Sequence, residues 1–121
     1  MDTAQVAKQL VDLCRIGEFE KAVDDLYSKD IVSVEPMAMG SMPAEARGIE
    51  AIRGKGKWWS DNHTVHSCKV AGPFVARNQF VVEFTLDVTD KPTSKRSTMT
   101  EAGVYTVQNG KIVREEFFYS A

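Results

Sequence analysis

The sequence has 121 residues, of which 43% are hydrophobic and 26% charged, and its formal net charge is −2. These values are typical of a globular chain with its own core, and we interpret residues 1–121 as a single domain. The slightly acidic balance argues against a nucleic-acid partner, and the apolar runs are too short for a membrane span. The first residues lack the pattern of a signal peptide, so we expect a cytoplasmic protein.

The first half of the chain predicts three helices. Apolar residues recur there at the spacing of one helical face, and glycine separates the first two segments. The predicted ranges are Thr3–Ile16, with Thr3 as the cap, Glu18–Tyr27 and Gly48–Asp61. Trp59 lies on the inward face of the third helix, so it is a candidate for the core or for a pocket wall.

The rest of the chain predicts strands. A short strand covers Ile31–Glu35 and ends at Pro36, which cannot donate to a sheet ladder. From His63 onward the pattern is β, and residues 79–89 alternate strictly between apolar and polar. Helices must cover the apolar face of such a sheet. We therefore predict an α+β fold: a cone-shaped roll in which three N-terminal helices pack on a strongly curved, mainly antiparallel sheet that encloses a pocket.

A hairpin around Asn109-Gly110 closes the chain, and its register decides which side chains share a face. A two-residue turn pairs Val107 with Ile112, whereas a three-residue loop with a bulge pairs Val107 with Lys111. We favour the three-residue loop, because it gives one mostly apolar face and one polar face. The apolar face then holds five residues of interest: Glu101, Tyr105, Glu115, Phe117 and Tyr119.

The opposite face of this hairpin carries Ile112 and Phe118 among threonines and charged residues. Apolar side chains of this size are unfavourable in water on a regular strand. We therefore expect a homodimer that forms through the outer face of the sheet.

Residues 37–47 form a long loop with three methionines, which include Met37. Methionine is apolar and adaptable, so this loop suits the mouth of a hydrophobic pocket. It equally suits a loop that only covers one end of the core.

Several motifs resemble the SnoaL-like branch of the nuclear transport factor 2-like superfamily, which includes ketosteroid isomerase. They are Gly17-Glu-Phe-Glu before the second helix, Val-Ser-Val-Glu35-Pro36 at the first strand, Gly48-Ile-Glu-Ala-Ile-Arg at the third helix, and Asn-Gly-Lys-Ile-Val-Arg-Glu-Glu-Phe at the end. The resemblance spans nearly the whole chain and implies the cone fold. It implies no single activity, because this fold serves isomerases, cyclases, dehydratases, hydrolases and binding domains.

The resemblance to ketosteroid isomerase implies a role for one residue in particular. Glu35, directly before Pro36, matches the carboxylate that shuttles the proton in that enzyme. Leu10 and Gly103 stand where the isomerase has its two hydrogen-bond donors, although Glu101 lies two residues before Gly103. The base is therefore kept and both donors are absent, which argues against steroid isomerisation by that arrangement.

The candidate site combines acid–base groups with apolar walls, as a small-molecule pocket does. The candidate catalytic residues are Glu35, His63, His66, Glu101 and Glu115. The candidate ligand-binding residues are Met37, Trp59, Phe84, Tyr105, Phe117 and Tyr119. Ordinary alternatives remain for these groups: core packing for the aromatic residues, ion pairs for the acids, and surface or helix-capping positions for the histidines. No spacing is diagnostic of a metal, and no cofactor motif is present.

Three functions fit this pattern. The first is a cofactor-independent acid–base enzyme, of the isomerase, cyclase or dehydratase type, that acts on a small apolar molecule with Glu35 as the base. The second is a non-catalytic domain that binds a hydrophobic metabolite. The third is a dimeric association domain, which predicts no cavity of ligand size.

Overall fold

Three helices and six strands make up the structure, a computed structural model that describes Met1–Ser120. The helices precede most of the sheet, as the apolar patterns predict. The helices are α1 (Thr3–Arg15), α2 (Phe19–Leu26) and α3 (Ile49–Asn62). The strands are β1 (Tyr27–Val34), β2 (Glu45–Arg47), β3 (His63–Ala76), β4 (Gln79–Asp90), β5 (Lys95–Gln108) and β6 (Lys111–Phe118).

The six strands form one curved, unclosed sheet in the order β2-β1-β6-β5-β4-β3. The β1–β6 pair is parallel and the other pairs are antiparallel. Register shifts interrupt three of these ladders, and such bulges bend a sheet. The helices pack on the concave side, α1 on β3 and β4 and α3 on β1 and β2. The predicted α+β cone is confirmed.

The N-cap of the first helix lies one residue earlier than predicted. Asp2, not Thr3, is the N-cap: its carboxylate accepts a hydrogen bond from the Gln5 amide at 2.8 Å, and the Gln5 side chain accepts one from the Asp2 amide at 2.9 Å. Asp2 has the extended backbone that a cap needs, whereas Thr3 is already helical. None of the helices in Met1–Ser120 is long and apolar enough to cross a membrane.

The first strand is longer than predicted, and the methionine loop is more structured. β1 begins at Tyr27 instead of Ile31, because the parallel pairing with β6 extends it backwards. The loop contains an isolated bridge between Met39 and Met42 and ends in β2, which pairs with β1.

The turn of the last hairpin corrects our predicted register. Val107 pairs with Ile112, so the turn has two residues, Asn109 and Gly110, both with positive φ (51° and 74°). The predicted pairing of Val107 with Lys111 is wrong. An Asn-Gly pair adopts this two-residue turn readily, because its twist matches the twist of the flanking strands.

A bulge in β6, just after the turn, nevertheless places Glu115 on the predicted inner face. Thr106 pairs with Arg114, which leaves Val113 as an extra residue on β6. Since paired residues share a face, Tyr105 then lies opposite Glu115, as in the register that we favoured. The bulge therefore decides that Glu115 lies on the inner face.

The outer face of the sheet differs in part from the prediction. Ile112 is fully buried and belongs to the core, because the two-residue turn places it beside Val107 on the inner face. Phe118 is outward and 52% exposed, and Phe74 on β3 is 66% exposed.

Candidate functional site

A cavity of about 1210 Å³ opens between the concave face of the sheet and the helices. Its walls are largely apolar side chains from all three helices and from the long strands. A space of this size accommodates a small molecule. It contradicts the expectation of an association domain without a ligand-sized cavity.

The register of the sheet lines up the inner-face side chains in rows across the strands. One row contains Phe80, Tyr105, Glu115 and Ser33, from β4, β5, β6 and β1. The next rows contain Gly103 beside Phe117, and then Phe84 beside Glu101. Because cross-strand neighbours lie about 5 Å apart at Cβ, the acidic and aromatic residues of these rows come together at one end of the cavity.

Glu35 follows β1 and is 9% exposed. Its Oε1 lies 2.5 Å from the Nζ of Lys55 on α3, and both side chains are nearly enclosed. Lys55 also donates to the Ser33 hydroxyl at 2.7 Å and lies 5.3 Å above the centre of the Phe117 ring. Glu35 lines the cavity, as a candidate catalytic residue must, and its ion-pair partner Lys55 was not anticipated.

Glu115 is 4% exposed, and its carboxylate accepts two hydrogen bonds. Ser33 donates to Oε2 at 2.7 Å, and the Tyr27 hydroxyl donates to Oε1. Burial raises the pKa of Glu115, while these two donors act in the opposite direction. The carboxylate therefore belongs to a satisfied network that ties β6 to β1.

Glu101 lies on the same face and has no hydrogen-bond partner within Met1–Ser120. Burial, followed by repulsion from Glu35, raises the pKa of Glu101 to about 7, and the Lys55 ammonium reduces this effect. A carboxyl group with this pKa can both give and take a proton near neutral pH.

The two histidines have different environments. His63 lines the cavity, stacks on Trp59 at 3.7 Å between ring centres, and has Nδ1 2.9 Å from the Trp59 carbonyl. His66 is exposed, hydrogen-bonds to the Thr89 hydroxyl at 2.7 Å, and does not line the cavity. The structure therefore places His66 outside the site, because it follows the inward-facing Val65 and side chains alternate between the two faces of a strand.

The cavity wall contains all but one of the predicted ligand-binding residues. Met37 is 37% exposed and lies outside the cavity. Met39 takes this place, and its Sδ accepts a hydrogen bond from Tyr119 at 3.5 Å. The residues that do line the cavity as predicted are Trp59, Phe84, Tyr105, Phe117 and Tyr119.

Three polar residues of the site were missed from sequence: Lys55, Ser33 and Tyr27. Lys55 lies between two glycines and is three residues after the inward-facing Ile52, so helical spacing could have placed it on the same face. Ser33 alternates with Ile31 and Glu35 along β1, so the period of two could have identified it. Within Met1–Ser120, no group of three or more His, Cys, Asp or Glu side chains is arranged to hold a metal ion.

The fold and the cavity together define the cone-shaped proteins of the nuclear transport factor 2-like superfamily. A model of the SnoaL-like domain family matches residues 1–119. The chain belongs to this family, and the resemblance seen in the sequence is confirmed.

Solved structures agree with this assignment. A candidate SnoaL-like polyketide cyclase from Mesorhizobium loti, also described as a carbohydrate phosphatase, has 43% identity and a TM-score of 0.93, with 98% of this chain and 100% of that chain covered. A protein of unknown function with a cystatin-like fold from Xanthomonas campestris has 12% identity and a TM-score of 0.80, with 100% and 92% covered.

A third structure, like the second, is similar in fold alone. It is a protein from Catenulispora acidiphila with a ketosteroid isomerase-like fold, in complex with trimethylamine, and it has 17% identity and a TM-score of 0.75, with 98% and 87% covered. No curated protein matches the chain.

Proposed function

We propose that this protein is a cofactor-independent acid–base enzyme that moves a proton beside the carbonyl group of a small hydrophobic molecule. The observation that carries the proposal is the pair of unlike carboxyl groups facing one apolar cavity. Glu35 is ion-paired with Lys55, whereas Glu101 has no hydrogen-bond partner within Met1–Ser120 and a pKa of about 7. Carboxyl groups in unlike environments take unlike roles in acid–base catalysis.

In the proposed step, Glu35 removes a proton from the carbon next to the carbonyl. The electron pair of the broken C–H bond moves to the carbonyl oxygen, which gives an enol or enolate. Glu101, in its protonated form, stabilises this oxygen by donating a hydrogen bond. Glu35 then returns the proton to carbon, so the reaction needs no redox partner and is balanced as an isomerisation or as the enolisation step of a cyclisation.

Lys55 supports this step by fixing Glu35. The ammonium contacts Glu35, Ser33 and the Phe117 ring, so the carboxylate is held in one direction. Such positioning reduces the entropy that is lost when the reacting groups align. The relative from Mesorhizobium loti, at 43% identity, is described as a candidate polyketide cyclase, which supports a substrate rich in carbonyl groups.

Hydrogen–deuterium exchange at carbon tests the proposal. α-Tetralone, a hydrophobic ketone with an exchangeable C–H, is incubated with the protein in D₂O, and deuterium uptake is followed by mass spectrometry. We expect catalysed exchange for the wild type and a loss of about 100-fold or more for Glu35→Gln. Glu50→Gln, on the exposed surface of α3, is the matched control and should retain the wild-type rate. Exchange that equals the buffer rate for the wild type would overturn the proposal.

Binding without turnover is the second candidate function. The Lys55–Glu35 ion pair favours it, since an ion pair also neutralises charge at the floor of a cavity that only binds. In that case native mass spectrometry would detect a hydrophobic metabolite that copurifies equally with the wild type and with Glu35→Gln, while neither accelerates exchange.

A further inference from the structure

Tyr105 is a buried residue whose hydroxyl has no partner in the protein. The residue is 2% exposed and lines the cavity. Within Met1–Ser120 its hydroxyl makes no hydrogen bond, whereas Tyr27 donates to Glu115 and Tyr119 donates to Met39. Nowhere in Met1–Ser120 is a side-chain nitrogen or oxygen both sealed from solvent and without a hydrogen-bond partner. The Tyr105 hydroxyl must therefore open onto the cavity.

The surrounding side chains hold the Tyr105 ring in place. Phe80 stacks on it with ring centres 4.9 Å apart and an angle of 10° between the planes. Phe117 meets it edge-on at 6.2 Å and 90°. Both arrangements are favourable for aromatic pairs. The hydroxyl is therefore carried on a ring that is fixed on more than one side.

Gly103 lets the Tyr105 ring lie back along β5. A Cβ at position 103 would lie 2.9 Å from the Tyr105 Cε2, 3.2 Å from its Cζ and 3.1 Å from the Phe117 Cε1. The ring thus occupies the space that a side chain at position 103 would fill. Since Cζ bears the hydroxyl, the Tyr105 ring leans towards the end of the strand where Glu101 lies.

The electrostatic environment keeps this hydroxyl a donor. Burial, and then the nearby Glu115, raise the pKa of Tyr105 well above its ordinary value. The neighbouring Glu115 is an acceptor, but its oxygens already receive the Tyr27 and Ser33 hydroxyls. A hydroxyl that opens onto the cavity without a protein partner is free to donate to an acceptor on a ligand.

We propose that the Tyr105 hydroxyl anchors the ligand by donating a hydrogen bond to its carbonyl oxygen. The ligand class is therefore a neutral ketone or related carbonyl compound, whose oxygen would reach Tyr105 while its apolar body contacts Phe84 and Phe117. This inference rests on the proposed function, because it identifies the atom of the substrate that the cavity recognises.

Infrared spectroscopy of bound ketones tests this inference separately from catalysis. Benzophenone and pivalophenone have no hydrogen on the carbon beside the carbonyl, so they bind without the proposed proton transfer. We expect the carbonyl band of the bound probe to shift to lower frequency in the wild type. Tyr105→Phe should abolish the shift and weaken binding about fivefold, the effect of one neutral hydrogen bond.

Tyr27→Phe is the matched comparison, because it also removes one buried hydroxyl. That hydroxyl has a protein partner, so we expect Tyr27→Phe to lower the melting temperature. Tyr105→Phe should leave the melting temperature unchanged or raised. Gly103→Ala should reduce the shift with Tyr105 intact, because its methyl group displaces the ring.

The outcomes separate this inference from the proposed function. A shifted band that Tyr105→Phe abolishes supports the inference even if α-tetralone shows no exchange. Catalysed exchange together with an unshifted ketone band, or with a shift that Tyr105→Phe retains, overturns the inference and leaves the proposed function standing. Failure of both ketones to bind the wild type also overturns it.

Discussion

The two faces of the sheet depart from ordinary burial in opposite ways. The inner face carries carboxyl groups, Glu101 and Glu115, among apolar residues, whereas the outer face carries exposed phenylalanines, Phe74 and Phe118. Buried acids are unfavourable unless they are paired, and large exposed apolar groups are unfavourable unless they are covered. We therefore propose a partner for each face: a ligand inside the cone and a second copy of the protein outside it.

The inner face itself contains a second contrast. Glu115 and Glu101 lie on adjacent strands and both are raised in pKa by burial, yet only Glu115 has hydrogen-bond donors from the protein. A satisfied buried acid stabilises the fold, whereas an unsatisfied one is available for chemistry. Stability measurements can therefore distinguish a structural acid from a functional one.

The largest effect that we expect is from Glu115→Ala. This change leaves the Tyr27 and Ser33 hydroxyls without an acceptor and opens a small cavity, at a combined cost of about 4 kcal/mol in the free energy of unfolding. Glu101→Ala, the matched change on the same face, should cost less than about 1 kcal/mol at pH 4.5, where Glu101 is protonated in the fold, and should stabilise the protein at pH 7. Urea denaturation of both variants measures the difference, and equal losses would remove the distinction between the two acids.

The second effect is a dependence of stability on pH that Glu101 causes. Its pKa rises from 4.5 in the unfolded chain to about 7 in the fold, so between these values the folded state holds a proton that the unfolded state lacks. The free energy of unfolding should therefore not be reduced by Glu101 below pH 4.5. As the pH rises from 4.5 to 7 it should fall by about 3 kcal/mol, at about 1.4 kcal/mol for each pH unit.

Glu101→Gln provides the control for this effect, because it cannot ionise. The difference between the unfolding free energies of the wild type and Glu101→Gln should change across this pH range. Parallel pH profiles would show that Glu101 titrates in the fold as it does in the unfolded chain.

The smallest effect concerns the outer face, for which we propose a homodimer interface. Phe74, Val81 and Val104 share this face, and Phe118 lies on the neighbouring row, so an apolar strip crosses four strands. Phe118→Asp should weaken self-association at least tenfold, or about 1.4 kcal/mol. Thr98→Asp, at the far end of the same face, should change it little. A wild type that light scattering finds monomeric at micromolar concentration would contradict this proposal.

Much of the architecture could be predicted from local patterns. The strict alternation along β4 predicts its buried residues correctly, and the apolar spacing predicts α1 and α3, because periods of 2 and 3.6 are properties of a short segment. Glu35 was also identified as a site candidate, through its position before Pro36, and it lines the cavity. The hairpin shows the limit: the face of Glu115 was predicted correctly, but its cause, a bulge at Val113 beyond a two-residue turn, was not.

The sequence by itself determined the order of elements, the family and the inward residues of β4, since these follow from spacing and motifs along the chain. Only the tertiary structure decided which hydrogen-bond and ion-pair partners each inward polar group has. Glu115 is satisfied by residues 82 and 88 positions earlier in the chain, and Glu35 is paired by a lysine on another element. The partners of a buried polar group come from distant segments, and so does its desolvation. Glu115 has hydrogen-bond partners in the protein, whereas Glu101 and Tyr105 have none within Met1–Ser120. This difference is a property of the folded molecule, and no local pattern contains it.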